Sequence, residues 1–99
     1  MNVSFFEAAQ QELEEAVRHY AALKSGLGDE FAEEVRQALE RICTHPAAWT
    51  NLGEGIRRCR TNRFPYGLVY FVEENEIFIV AVMHLHRRPG YWRDRLDGG

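Results

Sequence analysis

Arginine recurs through the carboxy-terminal half of this chain at spacings that could hold an anion. Arg57, Arg58 and Arg60 fall in one short run, and Arg63 follows in the turn beyond it. Strand alternation puts Arg58 and Arg60 on one face with Ile56, and Arg57 and Cys59 on the other, with Cys59 toward the core. A guanidinium is a planar fork that matches carboxylate or phosphate and also stacks on rings. Two unpaired guanidiniums are too costly to bury, so Arg58 and Arg60 are expected on an open face or paired with acids elsewhere. Arg87 and Arg88 come later, close to Tyr91 and Trp92. Rings beside arginines can stack nucleobases, although Trp92 serves equally well as a plug for the end of a core.

His84 and His86 stand two residues apart and can share a face. An imidazole near arginines can move protons at neutral pH, so His84 is a candidate acid or base. The pair supplies only two ligands, one short of a metal centre. His19 and His45 carry no partner pattern. No G-x-G-x-x-G, P-loop, H-E-x-x-H or nucleophilic-serine setting occurs, so neither a cofactor nor a metal is expected.

These side chains need a scaffold, and hydrophobic periodicity supplies one. Asn2 to Phe6 reads as a strand. From Glu7 the apolar positions Ala9, Leu13, Ala16, Val17, Tyr20 and Leu23 recur at helical steps, and Lys24-Ser25-Gly26 ends them. Asp29 reads as the cap of a second helix with Phe31, Val35, Ala38, Leu39 and Ile42 on one face. Glu33, Glu34, Gln37 and Arg41 share its other face, and Pro46 stops it near Cys43 to His45. Gly55 to Thr61, Tyr66 to Val72 and Ile77 to His84 read as strands, with a turn at Asn62 to Pro65 and a hairpin at Glu73-Glu74-Asn75. A loop and a charged tail follow His86. The expected fold class is α+β in the order β-α-α-β-β-β, an antiparallel sheet packed by an amino-terminal helical hairpin.

Ninety-nine residues fit one domain, spanning 1–99. No apolar run is long enough for a membrane span, and the first residues lack the basic and apolar regions of a signal peptide. Cys43 and Cys59 are expected as buried thiols rather than a disulfide, which fits a cytoplasmic protein. The net charge of −3 is unevenly spread: residues 1–55 hold ten acids and four bases, and residues 56–99 hold five acids and eight bases, all arginine. That split points to an acidic half and a basic half with separate tasks.

Taken together, Arg57-Arg58-x-Arg60, Arg63-Phe64-Pro65-Tyr66-x-Leu68-Val69-Tyr70 and Ile79-x-Ala81-Val82-x-His84-x-x-Arg87-x-Pro89-x-Tyr91-Trp92 resemble the RelE/ParE superfamily of bacterial type II toxins. The resemblance covers nearly the whole chain and leans to the ParE-like branch. It implies a toxin neutralised by a cognate antitoxin. ParE-like members poison DNA gyrase by binding, whereas RelE-like members cut mRNA on the ribosome. If this chain cut RNA, the resemblance would assign Arg58, Arg60, His84 and Tyr91 to catalysis. If it acts by binding, Arg57, Arg58, Arg60, Arg63, Arg87, Arg88 and Trp92 would meet target or antitoxin. The cutting pattern has arginines where this chain has Gly67 and Leu85, which favours binding. A non-toxic remnant that only binds its antitoxin is the third alternative.

Overall fold

The two apolar stripes fold as the helices α1 (Glu7–Leu23) and α2 (Leu27–Thr44), joined by Lys24-Ser25-Gly26. In this computed structural model, which describes residues 1–97, α2 starts two residues before the expected cap. Gly26, at φ 84°, makes the reversal that a side chain would resist, so Asp29 lies in the first turn. There it complements the helix dipole instead of capping the end. Gly28 is needed for packing: a Cβ there would come within 2.7 Å of the Val17 carbonyl oxygen on α1.

The sheet contains β1 (Asn2–Phe5), β2 (Thr50–Gly53), β3 (Ile56–Arg60), β4 (Tyr66–Glu73) and β5 (Glu76–His84) in the order β1-β5-β4-β3-β2. Two features of the sheet differ from the sequence expectation. One strand more is present, because Thr50–Gly53 pairs its backbone with β3 across a register shift. That stretch has a single apolar side chain, Leu52, so periodicity gave no sign of it. The sheet is also mixed rather than antiparallel, since β1 runs parallel to β5. The helical hairpin carries the chain over the sheet between β1 and the rest, and such a crossover permits parallel pairing. A short helix, α3 (Asp94–Asp97), forms where a charged tail was expected.

Both sheet faces are covered. Leu68, Tyr70, Ile77, Ile79, Val82 and Cys59 pack against the hairpin. Ile56, Val69, Val80, Ala81 and Met83 pack under Trp92 on the other face, with Leu52, Tyr91 and Leu96 around them. Both cysteines are free thiols, Cys59 buried and Cys43 half-buried.

One irregularity decides which side chain faces where. Val69 pairs with Ala81 but Tyr70 pairs with Ile79, so Val80 bulges out of the β4–β5 ladder. An extra residue reverses the alternation beyond it. Ile77 and Ile79 face the helices, and after the bulge so do Val82 and His84 rather than Ala81 and Met83.

The β4–β5 hairpin turns through Glu74 and Asn75, both left-handed at φ 50° and 64°. Consecutive positive φ values define a type I′ turn, for which Asn-Gly is the favoured pair. The double substitution Glu74→Asn, Asn75→Gly should therefore raise stability by about 0.5–1 kcal/mol, seen as a higher urea midpoint at unchanged slope.

Candidate functional site

The side chains singled out by sequence fall into separate groups. Arg58 and Arg60 stand in the cross-strand rows Arg58–Val69–Ala81 and Arg60–Gly67–Met83, on the face under Trp92. His84 pairs with Tyr66 on the helix face, their rings 5.1 Å apart. The sheet itself thus separates His84 from the two arginines. Its Nδ1 accepts a bond from the His86 backbone N–H, which leaves Nε2 as the protonated nitrogen of the neutral ring. No group of three His, Cys, Asp or Glu residues that could hold a metal occurs among the described residues.

Several arginines are engaged in holding the fold. Arg57 donates to the Trp49 carbonyl at 2.8 Å. Arg63 forms ion pairs with Glu34 at 2.8 Å and Glu30 at 2.9 Å, tying the β3–β4 turn to α2. Arg60 and Arg88 are exposed, and the Arg60 carbonyl accepts from Arg41. Trp92 is 2% exposed and fills the core of the second face, with one edge bordering a recess lined by Arg58, Arg87 and Arg93. The plug reading of this residue is what the packing supports.

Glu34 differs from the sequence expectation, which placed it on the polar face of its helix. It is buried and accepts bonds from the Asn62 and Arg63 backbone N–H groups, each at 2.9 Å, besides the Arg63 side chain. Burial alone would raise its pKa, but these donors hold it below the ordinary carboxylate value.

Glu12 plays the same part for the carboxy terminus. One oxygen accepts from the Val82 N–H at 3.0 Å and from Arg95 at 2.8 Å. The other accepts from the Tyr91 hydroxyl at 2.7 Å and from Arg95 at 2.8 Å. Arg95 also donates to the Val80 carbonyl at 2.9 Å. β1 pairs with β5 only as far as Ile79, so this ion pair satisfies the strand edge where β1 has ended. Sequence reading passed over Glu12 and Arg95 and took Glu34 for a solvated charge. The available signal was a carboxylate within an apolar helical stripe: Glu12 between Ala9 and Ala16, Glu34 between Phe31 and Ala38.

Tyr91 is held just as firmly. The Arg87 guanidinium carbon lies 3.9 Å from the ring centroid, and burial together with Glu12 pushes the phenol pKa well above its usual value. This hydroxyl is a structural donor to a carboxylate. Arg87 borders two recesses. One, of about 220 Å³, holds Glu12, Glu15, His19 and His84 on the helix side. The other, of about 170 Å³, holds Arg58 and Arg93 on the opposite side.

A five-stranded sheet backed by a helical hairpin, with Arg58 and Arg60 on one sheet face and His84 on the other, is the arrangement expected of the RelE/ParE superfamily. The family model for the ParE toxin of the type II toxin–antitoxin system parDE matches residues 3–89, and the chain belongs to that family. A solved structure of a chromosomal ParDE toxin–antitoxin system from P. aeruginosa shares the fold, with a TM-score of 0.64 and 17% identity, over 87% of this chain and 97% of that one. No curated protein sequence matches the chain.

Glu12 and Glu34 are both held below the ordinary carboxylate pKa of 4.5, Glu12 against the opposing effect of its burial. A lowered folded pKa stabilises the protein above the unfolded value, and that stability is lost as pH falls through the folded one. Glu12→Gln should cost about 2–4 kcal/mol at pH 7, because Arg95 loses its counter-charge and an amide NH2 replaces one of the two oxygens, opposing donors from Arg95 and from either Val82 or Tyr91. Denaturant midpoints for the wild type and Glu12→Gln should converge as pH drops below 4.5, and Val82 amide exchange should be faster in the variant at neutral pH.

Proposed function

We propose that this protein is a growth-inhibiting toxin that acts in the cytoplasm by binding and poisoning DNA gyrase and is neutralised by a cognate antitoxin. The observation that carries this reading is the dispersal of the would-be catalytic set. Arg58 and Arg60 lie on one sheet face and His84 on the other, while the Tyr91 hydroxyl is bonded to Glu12. RNA cleavage needs a base and phosphate-stabilising cations around one reacting phosphate. An arginine is a poor base, since it stays protonated in proteins. Gly67 and Leu85 add nothing cationic to that face. A toxin that binds its target needs none of this convergence.

Family membership supports a toxin from a toxin–antitoxin module, and the P. aeruginosa neighbour was solved as such a system. Among the described residues no helix is long and apolar enough to cross a membrane. Family membership also favours gyrase over the ribosome as the target.

Induced expression without antitoxin should arrest growth, switch on the SOS response and trap gyrase–DNA cleavage complexes, with mRNA left intact. Codon-phased mRNA ends without a DNA-damage response would reverse the assignment to a ribosome-dependent endonuclease. Tyr91→Phe sharpens the distinction. It removes one hydrogen bond to the Glu12 carboxylate, worth about 1.5–3 kcal/mol of stability, and should leave the toxicity of the folded protein within roughly two-fold of wild type. A nuclease that used the phenol would lose most of its activity.

A further inference from the structure

We infer that the recess between Arg58, Arg87 and Arg93 receives an aspartate or glutamate side chain from a partner polypeptide, with an apolar residue beside it on the aliphatic rim. Arg58 Nε is the one buried side-chain nitrogen or oxygen among the described residues that has no hydrogen-bond partner. A buried donor left unpaired costs about 1–3 kcal/mol, and a charged one costs more. The sequence nonetheless makes room for it. On β4, directly across from Arg60, Gly67 leaves space that a Cβ would take, 2.9 Å from Arg58 Cγ and 3.0 Å from Cδ. The glycine that removes a cation from this face therefore gives the Arg58 stem its channel.

The other two guanidiniums are positioned without using up their donors. Arg87 lies against the Tyr91 ring at 3.9 Å and Arg93 against the Trp92 ring at 4.7 Å. Stacking fixes the planes and leaves most N–H groups free for an oxyanion. The one hydrogen bond of the Arg93 side chain among the described residues, to the Leu52 carbonyl, is long at 3.5 Å. Arg36, Arg63 and Arg95 each have a carboxylate within 3 Å. Among the described residues, Arg58, Arg87 and Arg93 have none, and no acid lines their recess. Arg87 also borders the recess that holds Glu12 and Glu15, but the recess it shares with Arg58 and Arg93 has three guanidiniums and no carboxylate, which suits an anion from outside.

Size and lining identify the kind of anion. About 170 Å³ is below the roughly 300 Å³ at which small-molecule sites begin, and it suits one side chain. The remaining wall is aliphatic, with Leu52, Met83, Leu85 and Pro89. No ring is open for a base to stack on, since Trp92 is buried and Tyr91 lies under Arg87, so a peptide fits better than a nucleic acid. That the partner is an antitoxin rests on the function proposed above; the preference for a carboxylate does not.

The test is titration of the ¹⁵N-labelled protein, following the Arg58 Nε–H resonance, with the peptide acetyl-Leu-Glu-Leu-amide, its Gln counterpart and a short DNA duplex. The glutamate peptide should shift the resonance saturably, and the glutamine peptide should bind at least ten-fold more weakly. Arg58→Met should abolish binding and leave the thermal midpoint unchanged or higher, because it removes an unsatisfied buried donor. Gly67→Ala, which displaces the Arg58 stem, should weaken binding at least ten-fold with Arg58 still present. Equal shifts from both peptides, no saturable shift, or a stronger response to DNA would overturn the inference. So would an Arg58→Met variant that melts lower and binds the glutamate peptide as before. Loss of the toxicity reading would leave this titration untouched, and a failed titration would leave toxicity untouched.

Discussion

One carboxylate, Glu12, joins the three parts of this molecule. It sits on α1 and takes bonds from a β5 amide, from the Tyr91 hydroxyl and from the Arg95 guanidinium. β5 is a central strand for part of its length and an edge for the rest, because β1 stops at Ile79. Such an edge exposes unpaired backbone groups that invite pairing with other chains. Here Glu12 accepts from Val82 and Arg95 donates to Val80, much as a strand would. The segment that carries Arg95 also delivers Trp92 to the second face, so the contact that closes the edge also completes the core.

The Val80 bulge gives this arrangement its consequences for function. It frees the Val80 carbonyl from the β4–β5 ladder, where Arg95 takes it up. It also turns Val82 and His84 toward the helices. Without it, His84 would share a face with Arg58 and Arg60, and a proton-transfer group would stand beside two phosphate-binding cations. With it, Arg58 and Arg60 stand on one face and His84 on the other. Arg63 and Glu34 are occupied in pinning the β3–β4 turn to α2, so basic residues that look alike in sequence divide into structural and open sets.

Much of the fold was legible in the sequence. The helical stripes, the β-branched and aromatic runs and the turn at Glu74-Asn75 each announce an element through local pattern, and the elements form where they were expected. The α+β class and the family follow from the same residues. The short strand at Thr50–Gly53 was not legible, because backbone pairing with β3 creates it and its side chains carry no alternation. The acids that matter most, Glu12 and Glu34, looked like ordinary surface charge, since their partners lie 28 or more residues away.

What the sequence determined by itself was the inventory and the local order: two amphipathic helices, a β-rich second half, an acidic and a basic segment, and motifs that belong to one toxin family. Periodicity and spacing carry that information because they depend only on near neighbours along the chain. Tertiary structure alone decided which arginines remain open and which face each candidate side chain takes. A continuous apolar run from Ile77 to Met83 fits either face equally well, so only pairing with β4 could locate the bulge that turns His84 away. Within the arginine-rich half, Arg57 and Arg63 are taken up by the fold, and Arg58, Arg87 and Arg93 line a recess without an acid.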